Sequence, residues 1–199
     1  MDPDAPDDAV ARESALVRSA QAGNADAYGE LVTMHQAAAF RVAYVLLGSA
    51  ADAEDAAQEG FVRAYLALGR FRAGEPFRPW LLQVIGNEAR NRRRARGRRE
   101  GLADRAVAAF RGAAGGSVPA PEVAALAGET QREVRTALAG LDEGERLVVT
   151  CRYLLGLSES ETAAALGIPA GTVKSRLHRG LRRLRERLEP SSGSVGVSS

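Results

Sequence analysis

The stretch GIPAGTVKSRLHRGLRRLRERL, residues 167–188, decides the fold. Pro169 suits the first turn of a helix, where a missing N–H has no intrahelical partner to lose. From there Val173, Leu177, Leu181, Leu184 and Leu188 recur at spacings of four, four, three and four, the apolar stripe of an α-helix. The other faces carry Lys174, Arg176, His178, Arg179, Arg182, Arg183, Arg185 and Arg187 against one acid, Glu186. Seven Lys or Arg within residues 174–187 exceed what solubility requires and fit a polyanionic partner. Just upstream, Ser158-Glu159-Ser160-Glu161 forms an S-x-x-E capping box that opens a short helix, 159–166, ending at Gly167. Short helix, glycine turn and longer helix make a helix-turn-helix. In that motif the N-terminal part of the second helix enters the major groove. Lys174, Ser175, His178 and Arg179 share one outward face of that part. Lys and Arg suit guanine O6 and N7, and Ser serves several base edges. Arg182 and Arg183, one turn later, suit phosphate.

Working outward from this helix, the pattern predicts further helices on its N-terminal side. Leu147, Val148, Cys151, Leu154 and Leu155 belong to one, with Asp142 as its cap and an acid, Glu145, at the third helical position. Another runs from Pro121 to about Leu138. Residues 96–120, with Gly112-Ala113-Ala114-Gly115-Gly116-Ser117-Val118-Pro119 at their centre, lack an apolar period and read as a flexible linker. Before the linker, helical patterns run from about Ala11 to Ala95. Asn24 caps a helix bearing Tyr28, Leu31, Val32, His35, Ala39, Val42, Ala43 and Leu46 on a broad face; Gly48 ends it and Ser49 caps the next. That third helix is expected to bury Ala57, Phe61, Ala64, Tyr65 and Leu68. After the loop Gly69–Pro76, a fourth helix carries Phe77, Trp80, Leu81, Val84, Ile85 and Ala89. Residues 1–10 hold two Pro and four Asp and read as a disordered acidic tail, and the Ser/Gly tail 190–199 reads likewise.

Composition narrows the class. With 45% hydrophobic but only 5% aromatic residues, the core must be built mainly from Ala, Leu and Val, which favours helices over strands. An all-α protein of two small helical domains is therefore expected. Net charge is only +2, yet acid gathers at residues 2–13 and 52–59 and base at 90–99 and 174–187. One cysteine, Cys151, excludes an intrachain disulfide and reads as a small buried residue. With two distant histidines, His35 and His178, it makes no metal site. No apolar run is long enough to span a bilayer, and the acidic N-terminus lacks the core of a secretory signal. A soluble, cytoplasmic chain with no cofactor is expected.

Two further constellations stand out. Seven of residues 90–99 are Arg. The run reads either as a disordered polybasic arm or as the continuation of the helix that begins near Phe77. In the second case Arg78, Gln83, Asn87, Arg90, Asn91 and Arg94 form a polar outward face, with Phe71, Phe77 and Trp80 at or near the preceding loop. Bases stack on rings while cations follow the backbone, so this combination suits single-stranded nucleic acid; Phe77 and Trp80 serve equally well as core. The other constellation is Asp52-Ala53-Glu54-Asp55-Ala56-Ala57-Gln58-Glu59. Asp55 and Glu59 lie one turn apart, as do Glu54 and Gln58, and no neighbouring ligands point to a metal. The segment is either a solvated face or a docking surface for a basic protein.

In this order and spacing, the blocks resemble an extracytoplasmic-function (ECF) sigma factor of bacterial RNA polymerase. The resemblance covers roughly residues 24–95 and 121–188. It rests on Asp52–Phe61, on Phe71 to Asn91 around Pro76-Phe77-Arg78-Pro79-Trp80-Leu81, and on Gly167–Leu177. It implies a sigma region 2 bundle over 11–95, a linker 96–120 threading toward the RNA exit path, and a region 4 helix-turn-helix over 121–189. It also implies roles. Asp52, Asp55, Gln58, Glu59 and Phe61 would bind the β′ clamp helices of core polymerase. Phe71, Phe77, Arg78, Trp80, Gln83, Asn87, Arg90, Asn91 and Arg94 would recognise and open the −10 element. Thr172, Lys174, Ser175, His178, Arg179 and Arg182 would read the −35 element, and the same domain would touch the β flap. A cognate anti-sigma factor is an implied partner. Two departures are visible: Gly60 replaces a bulkier residue, which suggests a locally weaker helix, and the Arg90–Arg99 run is denser than usual.

Function classes separate on these features. A promoter-specificity subunit uses the acidic helix, the aromatic loop and the basic helix together. A dimeric operator-binding repressor or activator needs only the last. A nucleic-acid-processing enzyme needs a metal cluster, a nucleophile motif or a phosphate-binding glycine loop, and the sequence offers none.

Overall fold

The computed structural model describes residues 5–72, 74–108 and 129–188. The linker centre 112–119, the start of the helix expected at Pro121 and the tail 190–199 lie outside the described residues. The fold is all-α, with no strand among the described residues. Eight helices are seen there: α1 (Ala5–Gln21), α2 (Ala25–Leu47), α3 (Ala50–Ala67), α4 (Phe77–Ala108), α5 (Glu129–Ala139), α6 (Glu143–Val149), α7 (Glu159–Leu166) and α8 (Ala170–Leu188).

The caps form as their residue types dictate. Asn24 Oδ1 accepts from the amides of Asp26 and Ala27 at 3.0 and 3.2 Å. Gly48, at φ +71°, closes α2 in the left-handed conformation that glycine adopts without steric penalty. Ser49 accepts from the Asp52 amide at 3.3 Å and opens α3. In α7 both arms of the capping box are made: Ser158 N–H donates to Glu161 at 2.7 Å, and Glu161 N–H donates back to Ser158 Oγ at 3.2 Å.

Four sequence expectations are corrected. Helix α1 starts at Ala5, so most of the expected acidic tail is helical; Pro6, Asp7 and Asp8 are well placed in a first turn. Helix α4 runs on to Ala108, into the expected linker. Arg, Ala, Glu and Leu propagate a helix already nucleated, and Gly97 and Gly101, at about 1 kcal/mol each, do not stop it. Tyr65 is exposed, not buried, its ring lying on Tyr28 at 4.8 Å. Leu154 is exposed because α6 ends in a π-turn, Thr150–Leu154. The wider turn rotates the face, so Cys151 and Leu155 stay inside while Leu154 points out.

Helices α2, α3 and α4 pack on one another with α1 against α2; α6, α7 and α8 form a second group, with α5 on α8. The groups touch through α4 on α7 and α2 on α6. One apolar cluster runs through both, from Leu31, Leu81 and Ile85 to Val148, Leu157 and Val173. Gly60 is a contact point here, not a weak spot. A methyl group in its place would overlap Ile85 Cδ1 and stand 3.2 Å from Ile85 Cα, so its absence lets α3 and α4 approach closely.

Candidate functional site

The recognition helix is set by three devices. The capping box fixes the start of α7. Gly167, at φ +64°, turns the chain. Val173, fully buried, anchors α8 at its first turn. This leaves Lys174, Ser175 and His178 exposed, with Thr172 partly covered. Lys174 Nζ is 3.7 Å from Glu159, a loose surface pair. Ser175 Oγ donates back to the Thr172 carbonyl at 3.1 Å.

Arg179 and Arg183 each pair with the buried Glu145 while staying partly exposed. Arg179 Nε lies 3.3 Å from Glu145, whose side chain is 3% exposed, and Arg183 Nη1 donates to the same carboxylate at 2.8 Å and to Asp142 at 2.7 Å. The bond to Asp142, helped by both nearby acids, raises the Arg183 pKa. Asp142 occupies the N-cap position of α6 but makes no side-chain cap bond. The sequence marks Glu145 only as a first-turn acid, because nothing in it separates a buried acid from a solvated one.

The loop before α4 carries an aromatic cluster. Phe71 stands edge-on to Phe77 at 5.6 Å, and Trp80 lies 4.9 and 5.6 Å from the two rings. Phe71 and Phe77 are 8% and 3% exposed, so they serve as core, and Trp80 is the ring that reaches the surface. It borders a cleft of about 780 Å³, with Arg72, Trp80 and Gln83 on one wall and Ser160, Ile168 and Pro169 on the other. Helix α7 thus forms a wall over part of the expected strand-binding face. Arg78 is half-buried and, after the Ser158 amide, is among the charges that hold the Glu161 carboxyl below its ordinary range.

Further along α4, Asn87, Asn91 and Arg94 are exposed and Arg90 is half-buried. Arg90 donates to Asn87 at 3.1 Å and Arg94 to Asn91 at 3.2 Å. Desolvation, then Arg93, Arg94 and Arg176, lower the Arg90 pKa. These cations lie close enough to Arg90 to disfavour its charge.

The acidic helix and the arginine run, read separately in sequence, pair with each other. Asp52 meets Arg96 at 3.1 Å and Asp55 meets Arg92 at 3.2 Å. Buried Glu88 lies between Arg63 at 2.8 Å and Arg92 at 3.5 Å, and Arg63 also reaches Glu59 at 3.3 Å. Gln58 and Glu54 remain outward, while Phe61 is only 9% exposed and lies in the core. Besides Tyr65, the large apolar residues of α3 that face out are Val62 and Leu66, 55% and 78% exposed, which no sequence signal singles out.

Arg93 crosses between the helix groups, ion-pairing with Glu143 and donating to the Leu46 carbonyl at 3.5 Å. Arg41 donates to the Leu154 carbonyl and Arg146 to that of Val45, each at 3.3 Å. Cys151 is fully buried, and desolvation pushes its thiol up to about 12. Among the described residues no three His, Cys, Asp or Glu converge as a metal site, and no helix is long and apolar enough to cross a membrane.

The sigma-70 region 2 model matches residues 31–99 and the sigma-70 region 4 model matches 131–184. The chain is 31% identical over 179 residues to the ECF RNA polymerase sigma factor SigW of Bacillus subtilis, covering 86% of this chain and 94% of that one. It is 34% identical over 184 residues to the ECF RNA polymerase sigma-E factor of Escherichia coli K12, covering 89% and 95%. Among solved structures it is similar to CnrH in complex with the cytosolic domain of CnrY, with TM-score 0.64 and 27% identity over 91% of this chain and 99% of that one. It is also similar to the sigma factor RpoE in complex with the anti-sigma factor NepR from Bartonella quintana, with TM-score 0.65 and 25% identity over 82% and 98%.

Proposed function

The chain belongs to the sigma-70 family, in its extracytoplasmic-function group, and from that membership we propose how its surfaces divide the work of promoter-specific initiation. As a sigma factor it binds core RNA polymerase and directs transcription initiation at promoters. The supporting observation is the preserved order of a region 2 bundle and a region 4 helix-turn-helix on which the charged and aromatic residues fall.

The outer face of α8, with Thr172, Lys174, Ser175, His178 and Arg182, reads the −35 duplex. Arg179 acts through its tie to Glu145, holding α8 on α6 at the angle reading requires. The cleft beside Trp80, with Arg78 and Gln83, takes the unpaired −10 strand, and Asn87, Arg90, Asn91 and Arg94 follow its phosphates. Phe71 and Phe77 shape the cleft from below. Because α7 forms one wall of that cleft, strand entry requires the second helix group to lift from α4 as a unit, breaking the pair between Arg93 and Glu143 of α6. Core polymerase docks on α3 through Asp52, Asp55, Gln58 and Glu59, with Val62 and Leu66 as the apolar part of the same face. The first domain runs over 11–95, lengthened by the start of α1 and by α4 as far as Ala108, and the second over 121–189.

A cognate anti-sigma factor is a further partner; RpoE, similar to this chain, is seen in complex with one. The chain acts in the cytoplasm and supplies specificity to the polymerase without a catalytic site of its own.

Run-off transcription with purified core enzyme from the same host tests the reading. Promoter-dependent transcripts that require the chain are expected from a subset of genomic templates. Absence of core binding together with strong duplex binding as a dimer would instead make it an operator-binding regulator.

A further inference from the structure

The sequence around Gln21 carries no signal of function, and the region 2 model match begins only at residue 31. In the structure, the Gln21 side chain at the end of α1 spends both its amide hydrogens on one short piece of backbone. Nε2 donates to the Leu68 carbonyl at 3.0 Å and to the Phe71 carbonyl at 2.8 Å. These carbonyls bracket the 3-10 turn Leu68–Arg70, which ends α3 and starts the loop to α4. The turn is also closed from within, Phe71 N–H donating to Leu68 O at 3.0 Å. Gln21 therefore fixes both ends of the turn to a different helix.

The contact gains its meaning from the cleft beside the turn. Phe71 carries the ring that packs 4.9 Å from Trp80, and Phe71, Arg72 and Trp80 line the cleft. The described residues that continue the loop from Phe71 to α4 are largely exposed, and among them Glu75 N–H donates to Arg72 O at 3.2 Å. Such a segment holds its shape through its anchors. A planar amide with two hydrogens in fixed geometry is suited to holding two carbonyls at once.

We propose that Gln21 is a positioning residue for −10 strand capture: it locks the Leu68–Phe71 turn to α1 and so fixes the wall of the Trp80 cleft. The inference rests on the assignment of that cleft to the unpaired −10 strand. Gln21 touches no DNA in this role and acts through Phe71.

The test uses the full-length chain assembled with core polymerase. Gln21→Met keeps the length and apolar stem and removes both donors. Gln21→Glu keeps the shape and sets a carboxylate against the two carbonyls. The probe is the single-stranded non-template strand of a promoter that the wild-type holoenzyme selects from a random-sequence pool. Holoenzyme affinity for it is read by fluorescence anisotropy, and amide exchange is read in the free chain. For Gln21→Met, strand affinity is expected to fall about ten-fold, the equivalent of one well-made hydrogen bond, and further for Gln21→Glu. Exchange should quicken across 68–76, while core affinity and the protection of α2 and α4 hold. Unchanged strand affinity in both variants overturns the proposal. So does a parallel loss of core affinity with faster exchange throughout α2 and α4, which would make Gln21 a general stabilising contact. A wild-type holoenzyme that captures no strand overturns the −10 assignment itself, and this role with it, a result distinct from either.

Discussion

Along α4, Arg92 and Arg96 turn back onto Asp55 and Asp52 of α3, and Arg93 reaches across to Glu143. Along α8, Arg179 and Arg183 turn in to Glu145, while Lys174 and Arg182 keep only long contacts of 3.7 Å with Glu159 and Glu186. Both helices are arginine-rich, and each meets a buried acid: Glu88 of α4 holds Arg92 and Arg63 of α3, and Glu145 of α6 holds Arg179 and Arg183 of α8. The difference lies in what remains. On α8 the loosely held, exposed Lys174, Ser175 and His178 lie in the N-terminal turns, where a groove-entering helix meets bases. On α4 the exposed groups Asn87, Asn91 and Arg94 follow one side at helical spacing, tied only to one another and to Arg90, which suits a backbone more than a base edge. Charge density in sequence marks a nucleic-acid protein; the pairing within the fold decides which charges reach it.

The sharpest way to break this comparison is to remove its buried acids. Glu145→Ala frees two arginines and detaches α8 from α6. A stability loss of about 2–3 kcal/mol is expected, visible as a lower Tm, together with weaker −35 binding. Glu88→Ala should lower stability by a similar amount yet leave −35 binding intact. If both changes weaken −35 binding equally, the two helices are not separate units.

Base reading comes next in size. Lys174→Ala should lose about 1–3 kcal/mol at one preferred −35 base pair and little elsewhere. Arg179→Ala, acting through Glu145, should weaken all −35 sequences uniformly and lower Tm. Binding to a panel of single-base −35 variants separates the two patterns. Reversing Asp55 and Glu59 to Arg should weaken core association while changing stability by less than about 1 kcal/mol, because these pairs are exposed. Equal loss of −35 affinity would contradict distinct faces.

Smaller effects sharpen the picture. Arg94→Ala should lower the slope of log affinity against log salt by about one for the −10 strand, and Arg92→Ala, already paired with Asp55, should leave it unchanged. The Glu161 carboxyl is held below its ordinary value of 4.5, first by the Ser158 amide. Its contribution is therefore complete above pH 4.5 and is lost as pH falls through the lower folded-state value. Glu161→Gln should flatten that part of the acid side of a Tm-against-pH curve.

The sequence carried much of the fold because its signals were local. Asn24, Gly48, Ser49, Ser158 and Gly167 act within a turn of themselves, and each acts as its residue type demands. The candidate surfaces were legible as blocks for the same reason. What escaped was tertiary. Whether Glu88 and Glu145 are solvated or buried depends on helices far away in the chain. The burial of Phe71 and Phe77 is set by how the loop and α4 pack, and the role of Gly60 by the side chain of Ile85. The π-turn after Val149 adds a residue to one turn, which a strict helical period cannot anticipate. Gln21 was silent because its partners are backbone carbonyls, which carry no sequence signature.

The central claim is that α8 reads duplex while the Trp80 cleft takes single strand, as two separable acts of one chain. The most direct measurement crosses two variants with two probes. Lys174→Ala/His178→Ala and Trp80→Ala holoenzymes are each titrated with a −35 duplex and with the unpaired −10 strand. The account predicts that the first pair of changes weakens only duplex binding and the second only strand binding. Loss of both affinities in either variant, to the same extent, would contradict it.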